Sequence, residues 1–339
     1  MAVLSLCCLV CIEVARASGR SDPVVPQIYF LTERINNPGL LTQDIHRGLL
    51  VRLPWMLSFP LYRVESWSAY REQIVLSIKH GKANDLLALD INGDHQRWLV
   101  QDGRANRYPV WSPDGKWIVY AAQQDRDIYL YRIDALSGES HFLAQLAGYA
   151  RQALWSPDSQ RLILETWHDK RSALHLLDFD GRNLLHLSQT DASDSHPSWS
   201  PDGQQIVFSS SRDGDDDLYI MNVDDGNRRR LTTDGSRDGS PVWSPDGAQI
   251  AFVSNRGERG LWIYVIDAQG DHQRRLPIVG GRNYAPAWSQ DGKHIVFMVD
   301  IANGDVVSSY LYLVDADGTN LRQLGDGSVE VGFPIWSIP

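Results

Sequence analysis

Short runs of apolar residues alternate with turn-forming residues along most of the chain, and residues 197–232 show the pattern most clearly. Residues 205–209 and 218–223 are rich in β-branched and aromatic side chains, which favours strands. The Ser-Pro-Asp-Gly sequence at 200–203 is typical of a β-turn, and Asp-Gly pairs around the second run predict hairpin turns. With a strand before the first turn and another at 230–232, the stretch predicts one antiparallel sheet of four short strands.

The pattern recurs with a period near 44 residues, marked by a Trp-Ser pair at the same position of each copy. The seven pairs begin at Trp67, Trp111, Trp155, Trp199, Trp243, Trp288 and Trp336, with steps of 44, 44, 44, 44, 45 and 48 residues. A repeat of this length indicates a supersecondary unit that buries its apolar face only against its neighbours. Repeated antiparallel sheets of this kind predict an all-β protein with a β-propeller fold.

The two ends of the chain predict how the propeller closes. Trp336 is followed by only three residues, so the last copy has a first strand and lacks the rest. Residues 27–53 match residues 205–231 without a gap and correspond to the second to fourth strands of a copy. We therefore expect seven four-stranded blades with a one-plus-three closure of the termini, which removes a free sheet edge. Six blades with loose ends are the alternative.

The repeated tryptophan and the polar turns have structural interpretations. A large ring at one position of every blade is expected to fill the seam between adjacent blades. The Asp-Gly pairs are expected to form hairpins rather than to bind ligands. The only basic run, Arg228 to Arg230, falls on an outer strand, where we expect Arg228 or Arg229 to point into water.

Composition favours a single domain from residue 27 to 339, because the repeat occupies nearly all of that length. The chain carries 42 acidic and 32 basic residues, a formal net charge of −10, which argues against nucleic acid as a partner. We expect a monomer without a transmembrane span.

Residues 1–17 resemble a signal peptide that is removed on export. Residues 1–14 are mostly apolar and Ala15-Arg16-Ala17 fits a signal-peptidase site, which leaves residues 18–26 as a short N-terminal segment. No basic residue precedes the apolar run, so a misassigned start codon is the alternative. On the first interpretation the protein is periplasmic or extracellular. The cleaved chain then has no thiol, since all three cysteines lie in the removed segment.

The repeat resembles that of the TolB-type propeller family. The shared pattern is Pro-x-Trp-Ser-Pro-Asp-Gly, an Ile-Val-Phe or Ile-Ala-Phe strand, Leu-Tyr-Ile-Met, Asp-Gly and Arg-x-Leu-Thr, and residues 197–232 and 241–276 match it best. The resemblance covers residues 27–339 and implies a periplasmic or extracellular propeller that binds proteins or ligands. TolB also has an N-terminal α/β domain, for which this chain has no room, so a role in envelope transport is not carried over. Prolyl-oligopeptidase-type propellers share the repeat, but the Gly-x-Ser-x-Gly motif of a hydrolase is missing from the sequence.

Residues just before the first strand of each blade are expected to rim one mouth of the central channel. They mix Arg, Asp, Asn, His and Tyr, side chains that fix polar ligands or protein loops. The predicted mouth residues are Arg107, Tyr108, Arg151, Asp194, His196, Arg237, Asp238, Arg282, Asn283 and Tyr284. The alternative is that they only pair with one another, for instance Arg237 with Asp194 or Asp238.

Candidate enzyme and metal sites are poorly supported by the sequence. A metal-dependent lyase on a seven-bladed propeller needs several converging imidazoles, and only His196 occupies the expected rim position. The run 213–217 (Asp-Gly-Asp-Asp-Asp) could hold Ca²⁺, but it lacks EF-hand spacing and is better interpreted as a solvated hairpin. We therefore expect a non-enzymatic binding or scaffolding module of the cell envelope, without metal or cofactor. The alternatives are a propeller enzyme such as a polysaccharide lyase, or a sensor ectodomain.

Overall fold

The computed structural model describes residues 27–32, 39–44, 50–52, 63–70, 73–90, 95–188, 191–257, 260–277, 280–303, 306–324 and 335–336. Within these ranges every regular element is a β-strand, which confirms the all-β prediction. The described residues form two compact units, one within the range Pro54–Ser195 and the other within the range His196–Pro339 together with the described residues between 27 and 52. The predicted signal peptide and the segment 18–26 lie outside the described residues.

The strands are short and follow one another closely along the chain. In chain order they are β1 (Gln27–Thr32), β2 (Gly39–Asp44), β3 (Leu50–Arg52), β4 (Arg63–Tyr70), β5 (Gln73–His80), β6 (Ala83–Asp90), β7 (Arg97–Val100), β8 (Ala105–Trp111), β9 (Trp117–Gln124), β10 (Asp127–Asp134), β11 (Ser140–Ala147), β12 (Tyr149–Trp155), β13 (Arg161–His168), β14 (Arg171–Asp178), β15 (Leu184–His186), β16 (Asp194–Trp199), β17 (Gln205–Ser210), β18 (Asp217–Asn222), β19 (Arg228–Arg230), β20 (Asp238–Trp243), β21 (Gln249–Ser254), β22 (Trp262–Asp267), β23 (Arg274–Arg275), β24 (Arg282–Trp288), β25 (His294–Asn303), β26 (Val306–Asp315), β27 (Arg322–Leu324) and β28 (Ile335–Trp336).

The first unit contains an eight-stranded and a four-stranded sheet. The larger sheet has the order β11-β10-β9-β8-β6-β5-β4, with β7 on β6, and its two halves meet through one parallel pair, Asn84 opposite Ala105. The smaller sheet has the order β12-β13-β14-β15. Each half of the larger sheet therefore repeats the four-strand order that the sequence predicts.

The second unit contains four four-stranded sheets. Three follow chain order, β16 to β19, β20 to β23 and β24 to β27, and the fourth has the order β28-β1-β2-β3. In that fourth sheet Ile28 lies opposite Trp336 and Tyr29 lies opposite Ile335. The number of blades and the closure of a ring stay predictions.

The Ser-Pro-Asp-Gly turns are held by their own side chains, as expected. The Ser200 hydroxyl donates to Asp202 Oδ1 at 2.6 Å, and the Gln204 amide donates to the same oxygen at 3.0 Å. These two bonds lower the pKa of Asp202. Gly203 takes the left-handed conformation with φ of 68°. The same serine–aspartate bond recurs in four other turns, starting at Ser112, Ser156, Ser244 and Ser289.

Four of the repeated tryptophans, Trp111, Trp155, Trp243 and Trp288, pack or bond across the seams between neighbouring four-strand units, as their structural interpretation predicts. Trp243 packs in one buried cluster with Val207 and Leu218 of one sheet and Ile250 and Phe252 of the next. Indole N–H groups also cross the seams. Trp155 donates to Val110 O at 3.3 Å, and Trp288 donates to Val242 O at 3.3 Å.

Arginines near the outer strands bond backbone carbonyls of the following four-strand unit, which is the next sheet or the other half of the eight-stranded sheet, and we call this contact the arginine clasp. Arg97 donates to Ala135 O at 2.9 Å and Arg132 donates to Phe179 O at 2.8 Å in the first unit. In the second unit Arg229 donates to Ala268 O, and Arg274 donates to Ala316 O. The prediction that Arg228 or Arg229 only points into water is therefore wrong, since Arg228 Nε also lies 3.1 Å from Met221 Sδ.

Candidate functional site

The first strand of several sheets carries a β-bulge just before its motif tryptophan. The strand pairing shifts register between Arg107 and Val110, between Gly239 and Val242, and between Tyr284 and Ala287. One residue near each shift has a left-handed backbone, and the fourth such position is on β16. These residues are Tyr108, His196, Ser240 and Ala285, with φ of 53°, 53°, 51° and 51°. All four stand three residues before their tryptophan.

The residue that follows each left-handed position is of the same type in all four strands. It is a proline in all four cases, at 109, 197, 241 and 286. Proline has no N–H to donate, so in a sheet interior it is tolerated at a bulge, where the pairing is already interrupted. Gln152, at the equivalent position of β12, precedes Ala153 and is not left-handed, although the register still shifts between Ala150 and Gln152.

Three of the predicted mouth residues are buried, and two of them bond a backbone carbonyl of another strand or hairpin. Asp194, Asp238 and Asn283 are 1%, 1% and 2% exposed. The Asn283 side-chain amide donates to Leu261 O at 3.0 Å, and the Asp238 amide donates to Asp216 O at 2.6 Å. Asn106, the equivalent residue of β8, donates in the same way to Asn84 O at 3.0 Å.

Asp238 lies in a charged cluster that the sequence did not predict. Arg256 Nη2 is 2.5 Å from Asp238 Oδ2, and its Nη1 is 2.8 Å from Asp234 Oδ2. The guanidinium also stacks 4.8 Å from the ring of Tyr264. Burial nevertheless raises the pKa of Asp238, while its bonds to Ser254 and Arg256 oppose that shift. The predicted alternative, a pair between Asp238 and Arg237, is replaced by this pair with Arg256.

Arg151 is held against a buried carboxylate and an aromatic ring. Its Nη1 lies 3.9 Å from Glu165 Oε1, and its guanidinium lies 4.1 Å from the ring of Trp167. Glu165 is 2% exposed and also accepts a 3.0 Å hydrogen bond from the Ser172 hydroxyl. Arg151 therefore neutralises an interior charge.

Tyr284 is anchored in a comparable way. Its hydroxyl donates to Asp300 Oδ1 at 2.8 Å, and Ser309 donates to the same oxygen at 2.6 Å. Burial and the bond to Asp300 raise the pKa of Tyr284. In the first unit, Arg107 Nε lies 3.5 Å from Asn84 Oδ1, and Tyr108 lines a small apolar cavity with Gln152.

The remaining predicted residues are the ones available to a ligand. Arg237 and Arg282 are exposed, and Arg107, Tyr108 and His196 are partly exposed. The guanidinium groups can donate several hydrogen bonds each to carboxylate or carbonyl oxygens. No group of three potential metal ligands is found among the residues that the structure describes. In the run 213–217, Asp213 and Asp217 both contact Arg230, at 3.6 and 2.6 Å.

Sequence reasoning missed Arg256, Glu165 and Asp300, each of which holds a predicted mouth residue. All three lie on or just after the second strand of their sheet. A partial signal was present, because Arg212 and Arg256 stand 13 residues after their motif tryptophans. Each of these arginines bonds a serine two residues earlier, at 2.8 Å in both cases.

Comparison with known proteins identifies the repeat. The sequence profile of the TolB beta propeller domain matches residues 153–337, more than half of the chain. A search of curated proteins finds no match. No helix among the described residues is long and apolar enough to cross a membrane.

Solved structures share the fold at low identity. TolB from Acinetobacter baumannii is 18% identical with a TM-score of 0.56, covering 91% of this chain and 82% of its own. Oligogalacturonate lyase from Vibrio parahaemolyticus is 13% identical with a TM-score of 0.61, covering 84% and 85%. A puromycin-hydrolyzing peptidase from Mycobacterium tuberculosis is 15% identical with a TM-score of 0.66, covering 88% and 53%. At these identities the likeness is one of fold alone.

Proposed function

The chain belongs to the TolB beta propeller domain family, and from this premise we propose an exported, non-enzymatic propeller that binds a protein or a small polar ligand. The proposed architecture is a seven-bladed ring in which the sheet β28-β1-β2-β3 joins the two ends of the chain. The pairing of Ile28 with Trp336 supports this closure. TolB-like propellers are periplasmic, which supports placing this chain in the cell envelope.

One observation carries the binding proposal: a constant backbone presents side chains that differ from sheet to sheet. The left-handed residue is Tyr108, His196, Ser240 or Ala285, and φ varies by only two degrees, from 51° to 53°. The first three are partly exposed and differ from one another, whereas Ala285 is buried. Bulges re-aim side chains and are frequent beside binding sites. A structural requirement alone would select the same side chain in every sheet, whereas an asymmetric ligand needs different ones.

The exposed charges indicate what the partner offers. Arg237 and Arg282 are exposed, whereas the acidic members of the predicted set, Asp194 and Asp238, are buried. The accessible part of the predicted mouth is therefore cationic in a chain whose net charge is −10. A partner rich in carboxylates or exposed backbone carbonyls fits these donors.

Alanine variants of the exposed arginines test the proposal. The immobilised protein captures candidate partners from an envelope extract, and affinities of purified candidates are then measured for Arg237→Ala and Arg282→Ala. Each truncation is expected to weaken binding by about 1–3 kcal/mol if the residue is a hot spot. Arg182→Ala, an exposed arginine paired with Asp180 in a turn, is the matched control and should bind like the wild type. Wild-type affinity in both test variants would show that the binding site lies elsewhere.

Export has a separate test. Fractionation followed by mass spectrometry should find the protein in the envelope or medium with residues 1–17 removed. An intact N-terminus in a cytoplasmic fraction would refute export while leaving the binding measurement valid.

A further inference from the structure

Two histidines lie side by side on neighbouring strands of the first unit, away from the predicted mouth residues. His175 on β14 is directly opposite His186 on β15 in the antiparallel register. Their ring centroids are 4.8 Å apart and the ring planes are tilted by 34°. Directly opposed side chains project from the same face of a sheet, so both imidazoles lie side by side on one face of β14 and β15.

Both rings have nitrogen available for a ligand. The one hydrogen bond of the His175 ring among the described residues joins Nε2 to Thr166 Oγ1 at 3.0 Å. When Nε2–H donates to this hydroxyl, the lone pair of Nδ1 is left available. The ring of the exposed His186 makes no hydrogen bond or ion pair within the described part of the chain, and it lies against the ring of His175.

The ring separation fits two imidazoles on one metal ion. A Zn–N bond is about 2.0–2.1 Å, so the metal lies roughly 3.2 Å from each ring centroid. Two such rings are then about 4.5 Å apart at a right angle and about 5.2 Å apart at the tetrahedral angle. The observed 4.8 Å lies between these values.

We propose that His175 and His186 together bind one divalent transition-metal ion of the nitrogen-preferring kind, such as Zn²⁺, Ni²⁺ or Cu²⁺. Thr166 positions His175 by fixing its tautomer, as the outer partners of metal-binding histidines commonly do. Water completes the coordination, because no third potential ligand joins the pair in the described residues. The sequence alone predicted no metal site, since positions 175 and 186 become neighbours only through strand pairing.

Titration of tag-free, chelator-treated protein tests the site. Isothermal titration with Zn²⁺ and Cu²⁺ should show one ion per chain, and Cu²⁺ should bind more tightly than Zn²⁺. Mg²⁺ should give no heat, because it requires oxygen ligands. Absence of binding by the wild-type protein would overturn the proposal.

Variants assign the ion to this pair. His186→Ala should abolish binding without affecting the fold, because the side chain is exposed. His141→Ala, on another outer strand of the same unit, is the control and should bind like the wild type. Thr166→Val should weaken binding by roughly 10–100-fold if the hydroxyl fixes the tautomer. Wild-type binding by His186→Ala would show that the ion sits elsewhere and would refute the proposed pair.

Discussion

Left-handed backbone positions show how much a single residue contributes to this fold. Glycine occupies that position in three Ser-Pro-Asp turns, as Gly115, Gly203 and Gly247, and in the related Ser-Gln-Asp turn, as Gly292. In the fifth turn Ser159 has φ of 61°, and its hydroxyl accepts a 3.1 Å hydrogen bond from the amide of Asp114. The serine therefore combines backbone strain with a bond to the neighbouring turn that glycine cannot make.

Gly247→Ala should destabilise the protein by about 1–2 kcal/mol, because a Cβ disfavours the left-handed conformation. The loss would come from the backbone, since the added Cβ meets Pro201 at an ordinary 3.6 Å and φ is +71°. Urea denaturation measures the effect. Gly280→Ala is the matched control, because an added Cβ there would have no other atom within 4 Å and the backbone is not left-handed. Equal stability in both variants would contradict the argument.

His175 should make stability depend on pH. Burial, with a smaller contribution from His186, lowers the pKa of His175 to about 4. The unfolded chain protonates this residue near 6.5, so it binds more protons than the folded chain between those values. The contribution of His175 to the free energy of unfolding is complete above about pH 6.5 and falls by about 1–3 kcal/mol as the pH drops towards 4. His175→Asn should lack this component when metal-free protein is denatured in urea across that range. A variant with the wild-type pH profile would refute it.

At the scale of elements, the arginine clasps add polar contacts to the apolar seams between four-strand units. Arg274→Ala and Arg97→Ala each remove a charged donor from a backbone carbonyl, so each should cost about 1–2 kcal/mol. Thermal and urea unfolding measure the loss. Arg126→Ala, at an exposed hairpin tip, is the control and should change stability by less than about 0.5 kcal/mol.

The strands could be predicted from the sequence because each signal is local. The expected strand 205–209 is one residue shorter than β17, and the expected strand 218–223 is shifted by one residue from β18. Which of the mouth residues are buried could not be predicted, because burial depends on partner residues that strand pairing brings together. Asp238 is a charged residue of the kind expected at a channel rim. It is buried because it pairs with Arg256, which stands 18 residues later. Arg229 likewise has the pattern of a solvated strand residue until the turn containing Ala268 is placed beside it.

At the scale of the whole molecule, the two ends of the chain contribute to one sheet. Deleting residues 333–339 removes β28 and exposes the edge of β1, so it should lower the melting temperature clearly. Deleting only residues 337–339, beyond β28, is the control and should leave the melting temperature unchanged. Equal melting of the two truncated proteins would show that the terminal pairing contributes nothing to stability.

At the left-handed positions before the motif tryptophans, the backbone conformation that the fold requires is the same whatever the side chain. A left-handed residue followed by proline meets the backbone requirement whether it is tyrosine, histidine, serine or alanine. Positions 108, 196 and 240, which are partly exposed, therefore form a set at which substitutions can accumulate with little change in how the strands pair, whereas Ala285 is buried. A library randomised at these three positions would vary the exposed side chains without redesign of the sheets, as antibody loops do.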